Sequence, residues 1–447
     1  MLAFLDKAHS IAKPGHNRWL IPPAALAIHL AIGQVYAFSV FNLPLSRIIG
    51  VTHSDPSDWP LTTIGWIFSI AVVFLGLSAA LFGKWLERAG PRKAMFVSAL
   101  CFSGGFFVSS LGVYLHNIWL VYLGYGVLGG IGLGIGYISP VPTLIKWFPD
   151  RPGMATGMAI MGFGGGAMLG SPLGVTLIGH FSSEASVGVW ESMLVMGAIY
   201  FCLMMIGVLL VRLPPDGWKP EGYVPANNAG KMITQNHVDA DTAIKTKQFW
   251  LLWVMLCVNV TAGIAVLGQA SPMIQEMFPE RITVESAALF VALLSFFNLV
   301  GRFLWSSLSD KIGRKTVYGI CFGLGFILYA LVPTFGSFET VTFFIAAFAI
   351  IMTMYGGGFA TIPAYLRDLF GTFEVGAIHG RLLTAFSTAG VLGPVLINYM
   401  RQAQLNAGIP PEQAYSITMY IMAGLLFIGL ICNFAIKEVD KKYHLKV

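Results

Sequence analysis

The chain has 447 residues, of which 56% are hydrophobic and only 11% charged, with a mean hydropathy of +0.73. So few charges cannot cover the surface of a water-soluble protein of this size, which excludes a soluble fold and points to lipid. The formal charge of +6 would suit a nucleic-acid binder, but nucleic acid is excluded once the basic residues are placed along the chain.

A bilayer span takes about 20 apolar residues, and about twelve such stretches run along the sequence, near 18–46, 59–84, 93–115, 118–146, 153–179, 188–211, 248–275, 284–308, 314–334, 338–366, 376–400 and 413–436. The expected fold is therefore an all-α integral membrane protein. The opening "MLAFLDKAHSIAKPGHNRW" has no apolar run ending in a small-residue cleavage site, which predicts an uncleaved first span. Cys101, Cys202, Cys257, Cys321 and Cys432 fall inside predicted spans without paired spacing, so they are expected to be packing residues rather than disulfides or metal ligands. With the N-terminus inside, the basic residues gather on one side. Of 27, only Arg47, Arg281 and Arg401 lie on the other, and Arg302 lies within a span. The positive-inside rule then puts both termini in the cytoplasm, a pattern that suits a bacterial inner membrane.

Between the sixth and seventh spans, "LPPDGWKPEGYVPANNAGKMITQNHVDADTAIKTK" is polar and lacks apolar periodicity. It predicts a cytoplasmic linker at 214–247 between a six-helix bundle at 1–213 and a second at 248–447, which ends in a cytoplasmic tail. The halves match at one constant offset: Glu87 with Asp310, Gly90 with Gly313, Gly134 with Gly357, Pro140 with Pro363, Gly157 with Gly380, and Gly170 with Gly393. Parallel six-helix repeats are one of the internal symmetries of secondary transporters, which hold substrate near the bilayer midplane between the repeats.

The strongest local motif is "GKWLERAGPRK", placed in the loop after the second span, with a copy "SSLSDKIGRK" after the eighth. Here the chain resembles the major facilitator superfamily, whose members carry a spaced glycine, acid and base pattern in that loop. The matching residues are Gly83, Glu87, Arg88, Gly90, Arg92 and Lys93. In the copy they are Asp310, Lys311, Gly313, Arg314 and Lys315, with Ser306 in place of the leading glycine. An acid beside several bases at helix ends can latch a carrier in one state, which makes these residues candidates for gating; the simpler alternative is that they are positive-inside anchors.

"WFPDRPGMATGMAIMGFGGGAMLGSP" is rich in glycine yet apolar, without the strand and helix context of a phosphate cradle. Gly162, Gly166 and Gly170 recur every fourth residue, as do Gly126, Gly130 and Gly134 in the fourth span, which predicts ridges for close helix packing in lipid.

Arg302 is predicted to sit about 12 Å from the loop motif, eight residues before Asp310, at a depth where a charge is expensive and marks function or a buried ion pair. Glu191, Glu276 and Glu285 come nearest among the acids and lie in loops or near span ends, so Arg302 is the candidate anion receptor, its planar fork matching a carboxylate. Other spans supply His29, Gln34, Tyr36, Tyr137, Tyr355 and Phe359, which would dehydrate a small anion and hydrogen-bond to it.

In "GQVYAFSVF", "GYISP…KWFPDRPGMATGMAIMGFGGGA", "NLVGR" and "ATIPAYLRDLFG" the chain resembles the oxalate/formate antiporters and their monocarboxylate-transporting relatives, over nearly all of both halves. The resemblance implies that Arg302 matches the carboxylate-binding arginine, and that Tyr36, Tyr137, Tyr355 and Phe359 match cavity aromatics. Members that handle the oxalate dianion have a lysine in the eleventh span where this chain has Phe386. One intramembrane cation neutralises one carboxylate and leaves a second unpaired, which favours a monocarboxylate such as formate, lactate or pyruvate. Asn298 stands where the more distant animal proton symporters tend to place an acid; His29, with an ordinary pKa near ~6.5, is the candidate proton carrier.

The reading is a secondary carrier of small carboxylates working by alternating access, exchanging a counter-anion or moving a proton, without cofactor or metal and as a monomer. Alternatives are oxalate/formate-type dicarboxylate exchange, or another small solute with Arg302 structural. No nucleophile beside a base, paired carboxylates, metal-ligand cluster or ATP-binding loop is legible, so an enzyme is not expected.

Overall fold

The computed structural model describes residues 3–223, 232–337 and 340–445. Within the expected linker, 224–231 including Lys231 lies outside the described residues, as do Phe338 at the start of the expected tenth span and Lys446. Among the described residues twelve helices are long and apolar enough to cross a membrane: α1 (Arg18–Leu45), α2 (Leu61–Ala89), α3 (Pro91–Tyr114), α4 (Ile118–Trp147), α5 (Pro152–Phe181), α6 (Val189–Leu210), α7 (Lys247–Met277), α8 (Ser286–Ile312), α9 (Arg314–Phe335), α10 (Val341–Phe370), α11 (Val375–Asn406) and α12 (Pro411–Ala435). Each coincides with one expected span.

Local sequence explains many of the helix ends. Pro91 and Pro152 open α3 and α5, where the missing N–H costs nothing. The Asn117 and Thr246 side chains accept the first free N–H groups of α4 and α7. Two helices leave ideal winding: α1 tightens to a 3-10 helix over Gly33–Phe41, and α4 loosens to a π-helix over Tyr122–Gly129.

The expected loop motifs are corrected by the backbone. Gly83, Glu87 and Arg88 lie inside α2, and Asp310 and Lys311 inside α8, so each loop shrinks to one residue, Gly90 or Gly313. Charged side chains ended the apolar pattern there, but the i→i−4 ladder runs past it into the polar zone. Gly90 (φ +87°) and Gly313 (φ +92°) adopt the same left-handed conformation, open to glycine without strain. The two copies thus share a turn geometry as well as a sequence pattern.

The chain forms two compact units. One comprises Met1–Ala226 with Glu374–Ser387, the other Asn227–Phe373 with Thr388–Val447. In the first, both glycine ridges pack helices. Gly162, Gly166 and Gly170 of α5 face Leu26, Gly33 and Gln34 of α1, and Gly126, Gly130 and Gly134 of α4 face Ile70, Ala71 and Leu75 of α2. The start of α11 also packs on α2 in this manner, with Ala377 against Gly83, Gly380 against Ala79, and Ser387 against Gly76. In lipid, where burial from water does not drive helices together, such close approach supplies the dispersion contacts that do.

In the second unit α8 and α10 meet closely, Gly301 lying on Thr353 and Gly357 on Trp305. Part of the expected linker is strapped to this unit: the Thr234 and Val238 N–H groups donate to the Asp368 and Phe370 carbonyls at 2.8 and 2.9 Å, and Leu445 N–H donates to the His237 carbonyl at 2.8 Å.

Candidate functional site

In the second unit the fold gathers Arg302, Asn298 and Phe359. Arg302 is fully buried on α8 and Asn298 is 3% exposed. Four residues place them one turn apart on one helix face. Arg302 Nε donates to Asn298 Oδ1 at 3.1 Å, and the guanidinium carbon stands 5.1 Å from the centre of the Phe359 ring on α10. This approach depends on Gly356: a Cβ there would meet the Asn298 backbone and side chain and come within 3.0 Å of Arg302 Cγ. Tyr355, one turn before Phe359, lies against Gly263 of α7, and its carbonyl accepts from Asn259 Nδ2 at 3.1 Å. A guanidinium held by an amide and an aromatic face presents a planar fork of donors in a dry place.

In the first unit a chain of rings links the remaining candidates. Tyr36 meets Phe163 with centroids 5.1 Å apart, Phe163 meets Tyr137 at 5.2 Å and Phe386 at 6.5 Å, and Tyr137 meets His29 at 5.3 Å. Tyr36 is half-buried and the others are buried. Gln34 turns elsewhere, its Oε1 accepting from Tyr125 Oη at 2.8 Å in the helix core. Gln34 and Tyr36 are two residues apart, about 120° around a 3-10 helix of three residues per turn, so they face different neighbours.

The two charge motifs differ in what they hold. Glu87 accepts the Gly376 N–H of α11 at 3.1 Å and lies 3.7 Å from Lys146, while its carbonyl accepts from Lys7 Nζ at 2.8 Å. Arg92, 3% exposed, donates to the carbonyls of Phe4, His9 and Val211 at 2.9, 3.0 and 3.1 Å and so fastens the N-terminal segment. Arg314 bridges Asp310 of α8 at 2.7 Å and Asp368 of α10 at 3.0 Å, and Asp368 also meets Arg367 at 3.0 Å. Arg88 and Lys311 are exposed.

Three residues were missed in the sequence. Asp368 was visible in "AYLRDLFG" as an acid beside an arginine at a span end. Lys146 was counted only as an anchor. His379, 2% exposed, stands with its ring 5.6 Å from that of Tyr137, a contact made by the packing of α11 on the first unit. Nothing local announced it.

Twelve membrane-length helices, a repeated turn and charge motif, and a buried guanidinium define a membrane carrier. The chain belongs to the Major Facilitator Superfamily, which it matches over residues 24–394 and again over 270–446. It is a multi-pass membrane transporter. It is 26% identical over 380 residues to the oxalate:formate antiporter of Oxalobacter formigenes, covering 84% of this chain and 83% of that protein. It is 25% identical over 428 residues to human monocarboxylate transporter 11, covering 92% and 82%. Among solved structures it resembles the major facilitator transporter FucP in the outward conformation, with a TM-score of 0.65, 14% identity, and coverage of 92% and 98%. That last likeness is one of fold.

Proposed function

We propose that this transporter carries small carboxylate anions, preferring monocarboxylates such as formate, lactate or pyruvate, with Arg302 as the carboxylate receptor. The observation that carries the reading is a fully buried arginine in the middle of α8 whose Nε edge is oriented by Asn298 and whose face lies on Phe359. A charge at that depth is retained against its desolvation cost only where it serves binding or a buried pair. The names of the two relatives support the substrate class.

The preference for one carboxylate rests on Arg302 being the one cation read within a span, and on the resemblance, in which members that handle the oxalate dianion have a lysine where this chain has Phe386. In this reading Asn298, Tyr36, Tyr137, Tyr355, Phe359 and Phe386 are the remaining binding candidates, while Gln34 is spent on Tyr125 in the helix core; His29 is a candidate for proton coupling, and the Glu87 and Asp310 motifs are candidates for gating access. The one-sided basic residues put both termini in the cytoplasm, and bacterial relatives favour an inner membrane. Dicarboxylate exchange is the second reading, favoured by the antiporter relative.

The test is a thermal-shift series on the purified protein with formate, acetate, lactate, pyruvate, oxalate and a neutral sugar. A ligand that binds the folded state stabilises it according to its concentration relative to Kd. Stabilisation by a monocarboxylate that disappears in Arg302→Ala is the expected result. A response to oxalate alone establishes the second reading, and a response to the sugar alone makes Arg302 structural.

A further inference from the structure

Two buried histidines flank one phenol in the first unit. His29 of α1 and His379 of α11 stand with ring centroids 5.3 and 5.6 Å from that of Tyr137 of α4, at interplanar angles of 86° and 59°. His29 Nδ1 lies 3.1 Å from the Ala25 carbonyl, which fixes the proton on that nitrogen in the neutral ring. His379 Nδ1 is buried with no hydrogen-bond partner among the described residues. A buried imidazole nitrogen that the packing leaves unused is costly unless another state of the protein uses it.

All but one of the other charged groups on α1, α2, α4 and α11 lie toward the basic helix ends. On α2 they are Lys84, Glu87 and Arg88, on α4 Lys146, and on α11 Arg381, while α1 carries Arg18, which pairs with Asp150 at 2.7 Å; the exception, Arg401 at the far end of α11, pairs with Glu276. His180, at the far end of α5, is that helix's one titratable side chain. Glu87, the acid on the helix packed against His379, is engaged with the Gly376 N–H and Lys146, three residues before His379 along α11.

We propose that His29, Tyr137 and His379 form a proton-binding site, and that His379 carries the proton whose movement is coupled to carboxylate flux. This rests on the carboxylate reading above. The segment that bears His379 is held on α2 by contacts that can be remade: the Glu87–Gly376 bond, the 2.8 Å bond from Ser387 Oγ to the Val72 carbonyl, and the small-residue seam at Gly76, Gly83 and Gly380. An imidazolium created beside His29 and Tyr137 is a desolvated charge next to a second imidazole, so protonation favours release of the segment and loss of the proton favours docking. One proton adds to the free Nδ1 from water on one side and leaves from the same atom to water on the other. One proton and one monocarboxylate cross together, and the net charge moved is zero.

The test uses the full chain in proteoliposomes with labelled pyruvate, an internal pH dye and the variants His379→Gln and His29→Gln. Counterflow, in which internal pyruvate exchanges for external, needs no net proton. Accumulation driven by an inward proton gradient does, and reaches about tenfold per pH unit at one-to-one coupling. The expected result is that His379→Gln keeps counterflow within about threefold of wild type while its accumulation ratio falls to about one and its pH profile flattens, and that His29→Gln shifts the profile. Undiminished accumulation by His379→Gln overturns the proposal. Should that variant not reconstitute, the wild type decides: pyruvate accumulation with internal acidification supports coupling, and counterflow without acidification overturns it alone. No counterflow of formate, pyruvate or oxalate by the wild type overturns the carboxylate reading, and the coupling with it.

Discussion

Asn298 and Arg302 stand one turn apart on α8, and the 3.1 Å bond from Arg302 Nε to Asn298 Oδ1 fixes the direction in which the guanidinium fork opens. Removing the amide leaves the charge in place but frees its orientation. A hydrogen bond to a charged group is worth about 1.5–3 kcal/mol, so Asn298→Ala is expected to raise the Kd for a monocarboxylate by roughly 10- to 100-fold. Arg302→Lys is expected to lose uptake altogether, because a point charge does not reproduce a planar fork. Titration calorimetry and vesicle uptake check the two; a fully active lysine variant refutes fork-type binding.

Phe386 is buried in the first unit with its ring 6.5 Å from that of Phe163. Phe386→Lys adds a second cation, and selectivity measured by competition is expected to move from formate or pyruvate toward oxalate. Unchanged selectivity means that charge count does not set the substrate.

The glycine ridges predict a contrast in stability. A Cβ on Gly134 would press on the Leu75 carbonyl and Ser78 and come within 3.0 Å of the Ala79 nitrogen, whereas a Cβ on Gly65 meets nothing within 4 Å. Overpacking of this kind costs about 1–3 kcal/mol. Gly134→Ala is expected to lower the melting temperature in detergent and Gly65→Ala to leave it within experimental scatter.

Asp58, between α1 and α2, gives a pH-dependent case. Burial raises its pKa, but N–H groups of Ile49, Asp55 and Gly50 donate to the carboxylate and His116 lies nearby, so the balance falls below the ordinary value. A lowered folded-state pKa means that the stabilisation is present above the unfolded value of about 3.9 and is lost as pH falls through the folded one. Asp58→Asn is expected to destabilise the protein at pH 7 by about 1 kcal/mol, with the gap to wild type closing as pH falls through the lowered folded-state pKa. A gap that persists in acid assigns the effect to packing.

The spans, the duplicated pattern and both glycine ridges were legible because each repeats at a helical period and the bilayer demands long apolar runs. Arg302 stood out for the same reason, as a cation in an apolar run. Asp368 and His379 were hidden because their partners are far away in sequence. Arg314 and Asp368 meet only when α8, α9 and α10 have packed, and His379 reaches Tyr137 only because α11 starts against α2. The helical state of Glu87 was lost to the hydropathy pattern, which reports lipid contact and not backbone hydrogen bonding.

The tight winding of α1 makes it a stretched ruler. A 3-10 helix rises about 2.0 Å per residue against 1.5 Å in an α-helix, so the nine residues of Gly33–Phe41 add about 4.5 Å, the length of three further α-helical residues. Gly33 and Gln34 lie in this stretch and face Gly166 and Gly170, which are themselves set at α-helical rise on α5. Relaxing α1 to ordinary winding would draw one end toward the other by most of a turn, each residue shifting along α5 by about 0.5 Å more than the one before it. The seam between these helices therefore measures length as well as shape, and a one-residue insertion in Gly33–Phe41 would disturb more of it than a bulky substitution at any single glycine.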